Sequence, residues 1–192
     1  MRVVYFFPFD DRDAEALYEQ ERKHYHRKGI EFISILDSPK TRLDFLSPTD
    51  RLYIVAHGNP WCIGQSQTSE QTLSTVGLAK LMVSKHLTKN FVDIRLLCCQ
   101  SGINASKYTS SFAQRFKEAM VSFGYNNLQV TGYLGGVITL RDWRLENKET
   151  SGFYKEKKKG INPDKSYCYM IKSRLGLDEF LRYAASDFKK IF

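Results

Sequence analysis

The sequence predicts an α/β sandwich built on a largely parallel sheet, and three observations carry that expectation. Short apolar runs alternate with stretches of helical periodicity through most of the chain. The run Leu52–Ala56 (LYIVA) is apolar without a break, as a strand covered on both faces of a sheet must be. No internal repeat or low-complexity linker divides the 192 residues, of which 42% are hydrophobic and 14% aromatic, enough for one well-buried core. A single domain spanning 1–192 follows.

Taken in order, Arg2–Phe7 is a β-rich run stopped by Pro8. A helix is expected over Asp13–Lys28, with acids near its start, Lys23, Arg27 and Lys28 in its last turns, and Gly29 just after. Glu31–Leu36 (EFISIL) reads as a second strand, closed by the turn signal Asp37, Ser38, Pro39. After LYIVA comes a helix over Leu73–Leu87, with Val76, Ala79, Val83 and Leu87 at helical spacing, and then the strand Ile94–Cys98 (IRLLC). Phe112, Phe116, Ala119 and Phe123 mark the buried stripe of a further helix. Leu128–Tyr133 and Val137–Arg141 are β runs around Gly135 and Gly136, Tyr167–Lys172 is another, and Leu177–Ile191 is expected as a terminal helix. The polar segment Asp142–Lys165, with Lys155, Lys157, Lys158 and Lys159, reads as a hairpin or flap at the sheet's edge.

Several classes are excluded or disfavoured. No run of eighteen apolar residues occurs, and the start lacks a small-residue cleavage site, so a soluble chain without a membrane span or ordinary secretory signal is expected. Cys62, Cys98, Cys99 and Cys168 do not form a disulfide framework, since two are adjacent and a chain of this size needs no staple; a reducing compartment fits better. The formal charge of +8 and a pI near 9.3 suit an acidic partner, namely nucleic acid, a membrane surface or a polyphosphate.

Two residues carry the candidate chemistry. In open parallel sheets, reactive groups gather beyond the carboxyl ends of the strands. His57 and Gly58 directly follow LYIVA, and Cys99 directly follows IRLLC. An imidazole near a thiol promotes the thiolate and protonates a leaving amine. Gly58 lets the backbone approach a substrate carbonyl, so the amides of Gly58 and Cys99 are the candidate oxyanion hole. Ser101, Gly102 and Asn104 make a turn toward the next helix, whose N-terminus is expected to favour an anion at the cysteine.

Each residue also has a plainer reading. A lone histidine at a strand end is most often a hydrogen-bonded structural group, and a lone cysteine a small buried hydrophobe. Both placed at strand ends of one sheet favour a catalytic pair. Strand alternation lets only one of Cys98 and Cys99 face the crevice. A zinc set of His57, Cys62, Cys98 and Cys99 is disfavoured, because adjacent cysteines point apart and no CxxC pair exists, so no metal is expected. Cys62 and Cys168 read as a loop thiol and a strand filler.

A hydrophobic block ending in His-Gly, followed by a second ending in a small residue plus Cys, resembles the caspase-like clan of cysteine peptidases that includes clostripain, gingipain, legumain and separase. Within it the chain is most similar to the self-processing cysteine protease domains of MARTX and large clostridial glucosylating toxins. VTGYLGGVITLRDW, SGFYKEKKKG and KSYCYMIK resemble that family's strand, basic flap and return strand, so the likeness covers roughly Leu52 to Lys172 and the flap about 135–172.

The resemblance implies a caspase-like three-layer sandwich with a basic β-flap, a peptidase with His57 and Cys99 as its dyad, and Cys98 in the place of the small residue. It also implies activation by inositol hexakisphosphate at a basic pocket. Arg141, Arg144, Lys155, Lys157, Lys172 and Arg174 are the matching candidates, since several cationic side chains must converge on so many phosphates. The implied setting is a bacterial toxin or effector, secreted into the host cytosol and acting on protein or peptide substrates. Two features depart from the pattern. Almost nothing precedes Arg2 as a self-processing site, and no motif marks an acid that orients the histidine, for which Asp10, Asp11, Asp44 and Asp50 are the candidates. The alternative from another class is a basic nucleic-acid-binding or phosphate-binding module without catalysis; for nucleic acid, only the charge speaks.

Overall fold

The computed structural model describes residues 1–22, 31–64, 70–139, 169–175, 179–184 and 188–192. Its elements are β1 (Arg2–Phe7), α1 (Arg12–Arg22), β2 (Glu31–Leu36), β3 (Arg51–Val55), β4 (Ile63–Gly64), β5 (Thr72–Leu73) and α2 (Thr75–Ser84). There follow β6 (Asp93–Leu97), α3 (Phe112–Ser122), β7 (Gln129–Tyr133), β8 (Gly136–Thr139), β9 (Tyr169–Leu175), β10 (Glu179–Ala184) and β11 (Lys189–Ile191). Six strands form one sheet in the order β11-β7-β6-β3-β1-β2, parallel throughout except for β11. The expected α/β class and largely parallel sheet are therefore present.

The continuous apolar runs have the cause inferred from sequence, because the sheet is covered on two faces. Val4, Phe6, Leu52, Ile54, Ile94, Leu96 and Val130 are buried with Leu78, Ala79 and Met82 of α2 and Phe112, Phe116 and Met120 of α3. Val3, Tyr5, Phe7, Val55, Leu97 and Tyr133 form the opposite cluster, against which Leu17 and Tyr18 of α1 pack. β1 thus alternates between two cores and has no polar face.

Serine caps set the helix starts. The Ser74 hydroxyl accepts the Gly77 N–H at 3.1 Å, and that of Ser111 accepts the Gln114 N–H at 3.2 Å. Hence α2 begins at Thr75 rather than Leu73, and it ends at Ser84, ahead of His86, whose φ of 59° breaks the helix before Leu87. Residues 23–28 of the first expected helix lie outside the described residues.

The expected terminal helix is wrong. β10 pairs antiparallel with β9, and β11 pairs antiparallel with β7 at the edge of the main sheet. The apolar residues of EFLRYA fall at helical spacing, and pairing to a neighbouring strand overrides that local pattern. β11 also brings Phe192 onto the main core and Phe188 onto the second cluster. Strands β8, β9 and β10 form a separate antiparallel sheet that leaves the main one two residues after β7. Among the described residues, no helix is long and apolar enough to cross a membrane.

A buried carboxylate ties down the amino-terminal corner. Asp50, 4% exposed, accepts the Arg2 N–H at 2.7 Å, the Arg2 Nε–H at 3.0 Å, and the Ser47 N–H and hydroxyl at 2.9 Å each. Burial pushes its carboxyl up, but these donors outweigh burial and hold it well below the ordinary carboxylate range. The contribution is therefore present above the unfolded pKa, near 4, and is lost as the pH falls below it. Asp50→Asn is expected to cost about 2 kcal/mol at neutral pH. In thermal melts, the gap between variant and wild type should close below about pH 4; a gap independent of pH would contradict this reading.

Candidate active site

Parallel pairing brings the two sequence candidates to one edge of the sheet. The last registered pair between β3 and β6 is Val55 with Leu97. His57 and Cys99 each lie two residues beyond it, at the carboxyl ends of adjacent strands. β1 lies on the other side of β3 and connects to β2 in the opposite direction, so the strand order reverses between β1 and β3, next to the β3–β6 pair.

Beyond Ala56, which is buried, the chain emerges at His57, which is exposed, and turns back on itself as a short hairpin. The Gly64 N–H donates to the His57 carbonyl at 3.0 Å, and the Asn59 N–H to the Cys62 carbonyl at 3.1 Å. These two bonds flank the bridge between Gly58 and Ile63, so Gly58 occupies a non-hydrogen-bonded position and its N–H turns away from the returning strand. A Cβ on Gly58 would stand 2.9 Å from the Cys98 Cβ and 3.5 Å from the Cys99 carbonyl oxygen. Glycine is thus required first for close packing on the cysteine pair.

The two cysteines have different surroundings. Cys98 is 1% exposed and belongs to the core beneath α2 and α3. Its Sγ donates toward the Ile54 carbonyl at 3.6 Å, and burial pushes its thiol far up. Cys99 is half-buried at the sheet's edge. Its Sγ accepts the Val137 N–H at 3.3 Å and donates toward the Val137 carbonyl at 3.9 Å, so the backbone of β8 lies directly against it. Burial pushes the Cys99 thiol up, and the N–H groups of Val137 and of Cys99 itself pull it part of the way back. The net direction is upward.

The bend after Cys99 is fixed by a dense set of backbone contacts. Gln100 adopts φ 58°, in the left-handed region, and its N–H donates to the Gly135 carbonyl at 2.7 Å. The buried Ser101 hydroxyl donates to the Leu96 carbonyl at 2.9 Å and accepts the Tyr133 N–H at 3.0 Å. Gly102 lies so close to β7 that a Cβ there would meet the Gly132 carbonyl carbon at 2.8 Å. Ser101 and Gly102 therefore position Cys99 rather than contact a ligand.

Other expectations fare differently. α3 does not begin directly after Cys99 but at Phe112, and the N–H of Ala113, in its first turn, donates to the Ser101 carbonyl at 2.9 Å. The helix terminus thus supports the bend instead of facing the thiol. Of the candidate acids, Asp50 is saturated by Arg2 and Ser47, and it precedes β3, at the opposite end from His57. Asp44 pairs with exposed Arg42 at 2.7 Å, and Asp11 accepts the Ala14 N–H at the start of α1. Asp10 follows β1 on the His57 edge, where it accepts from Gln71 Nε2 at 3.5 Å. Arg141, Arg144, Lys155 and Lys157 lie outside the described residues. Lys172 and Arg174 lie on β9, where Lys172 is the register partner of Gly136, the residue before Val137.

Residues 40–132, a segment that contains His57, Gly58 and Cys99, match a family model described as Domain of unknown function (DUF8616). No curated protein matches the chain. The sequence reading missed Val137 as a partner of Cys99 and the role of Gly58 against Cys98. Contacts between residues 38 or 40 positions apart leave no local trace in sequence.

The cysteine environments predict an order of alkylation in the native protein. Cys99 should react with iodoacetamide well before Cys98, at a rate that climbs with pH into and past the ordinary thiol range, and Cys98 should react only on unfolding. Peptide mapping of the labelled chain checks this; equal labelling of the two would reverse the assignment.

Proposed function

We propose that the chain is a caspase-like cysteine endopeptidase in which His57 and Cys99 form the dyad. The observation that carries the reading is the placement of both residues two positions beyond the last β3–β6 pair, with the Gly58 N–H turned outward beside them. The mostly parallel sheet with helices on both faces suits such a fold. The burial of Cys98 supports Cys99 as the nucleophile.

In the reaction, His57 accepts the Cys99 proton and the thiolate attacks the substrate carbonyl, forming a C–S bond and an oxyanion. The N–H groups of Gly58 and Cys99 hold that oxyanion. Collapse breaks the C–N bond, the amine leaves with the proton from His57, and water then hydrolyses the thioester. The Val137 N–H favours the thiolate, and the β8 backbone lying against the sulfur limits access to it from that side. Binding of inositol hexakisphosphate at the basic flap is a means of moving β8, since Lys172 and Arg174 lie on the strand paired to it. Toxin or effector action in a host cytosol is the setting this reading implies.

Cys99→Ala and His57→Ala should each lower peptide cleavage by about a thousandfold or more while leaving the fold intact, and Cys98→Ala should retain much of the activity. A normal rate for His57→Ala would remove the histidine from the mechanism.

For the ligand, inositol hexakisphosphate at one hundred times its dissociation constant should add about 2.7 kcal/mol of stability. The gain should weaken in high salt. Lys172→Gln with Arg141→Gln should reduce the melting shift more than Lys80→Gln on α2, and Cys99 labelling should rise with the ligand. An unchanged melting temperature would remove the polyphosphate from the account.

A further inference from the structure

We propose that the two loops beyond the carboxyl ends of β3 and β6 seat the protein on an anionic membrane surface, with Trp61 and Tyr108 entering the headgroup layer. The proposal stands apart from the peptidase reading and requires no reaction at His57 or Cys99. Within residues 57–64 and 99–111 the large hydrophobics left exposed are Trp61, at 54%, and Tyr108, at 90%. Indole and phenol rings have an apolar body and a polar tip, the combination that settles at a membrane–water interface.

Contacts within and between the loops hold the two tips together. The Asn59 side-chain oxygen accepts the N–H of Trp61 at 2.7 Å and that of Cys62 at 3.1 Å, which fixes the first tip. The second is closed by the bridge between Asn104 and Ser111 and by backbone bonds between Ser106 and Thr109, and the Tyr108 N–H donates to the Ser106 hydroxyl at 3.2 Å. Arg115 of α3 joins them, donating from Nη2 to the Pro60 carbonyl at 2.7 Å and from Nε to the Ser110 carbonyl at 3.1 Å. Pro60, next to Trp61, and Ser110, two residues past Tyr108, thus share one guanidinium. Tips ordered in advance lose little conformational entropy on binding.

The charge around the rings selects the occupant. The Arg115 guanidinium lies 5.8 Å from the centre of the Trp61 ring and the Lys107 Nζ 5.7 Å from that of Tyr108, so each aromatic has a cation against it. Neither loop contains an Asp or Glu. Asp10 and Asp37, which reach the same edge, follow β1 and β2 on the far side of β3 from β6, and Asp37 is paired with Lys85 at 2.7 Å. An anionic leaflet attracts such cations while the rings bury apolar area in it. A stable protein partner generally covers about 20–30 residues a side, whereas the exposed apolar part of these loops is two side chains at their tips.

The test is co-sedimentation of the full chain with vesicles of phosphatidylcholine alone or with about one quarter phosphatidylserine. The chain should bind the anionic vesicles, and high salt should weaken the binding. Trp61→Ala and Tyr108→Ala should each lower the affinity about tenfold and Lys107→Gln about fivefold, with Lys80→Gln on α2 close to wild type. All four positions are exposed, and unchanged melting temperatures check that the variants fold. In a Trp143→Phe background Trp61 is the remaining tryptophan, and its emission should shift to the blue with anionic vesicles. No binding, or binding that Trp61→Ala and Tyr108→Ala leave unchanged, overturns the proposal and leaves the tips to a protein partner. Trp61 emission that stays put while the chain sediments places another face on the lipid and overturns it equally. Failure to cleave peptides would leave these results untouched, so the two readings fail separately.

Discussion

The register of β3 on β6 is the constraint on which the site depends. Val55 against Leu97 fixes both how far each strand runs and which side chains face each core. A slip of one residue would turn every side chain of β6 to the other face and exchange the buried and edge positions of Cys98 and Cys99. The register is secured from both sides of the sheet, by Ile54, Leu96 and Cys98 beneath α2 and α3 and by Val55 and Leu97 in the opposite cluster. Gly58 adds a steric lock, because only a residue without a side chain lets the turn after His57 lie on Cys98.

Much of this was legible in sequence because it is local. LYIVA and IRLLC declare themselves as strands covered on two faces, and a histidine and a cysteine directly after them have to emerge at the same edge of a parallel sheet. The serine at 74 is not visible as a cap from periodicity, so α2 starts two residues later than expected, whereas α3 starts at Phe112, the first residue of its expected stripe. The last stretch of the chain was misread for a different reason. Its apolar spacing suits a helix, and the pairing partners that override it, β9 and β7, lie elsewhere in the sequence. Tertiary pairing of this kind outweighs intrinsic preference.

The site was legible as a pair of residues but not as an environment. A sequence pattern suggests an activated thiol and a helix terminus aimed at it. The structure instead surrounds Cys99 with backbone from β8 and reserves the α3 terminus for Ser101. The strained φ of Gln100 belongs to the same arrangement, since it directs the Gln100 N–H to Gly135, just before β8. Local strain held by surrounding contacts is common where a chain has to present a reactive group.

The hydrogen bond between Val137 and Cys99 has a thermodynamic corollary. Linkage is reciprocal, so if displacing β8 changes what the sulfur can bind, then whatever binds the sulfur changes the equilibrium of β8 by the same free energy. The small antiparallel sheet is in that sense a reporter as well as a cover. A covalent adduct on one atom at the main sheet's edge would be registered in the cohesion of β8, β9 and β10.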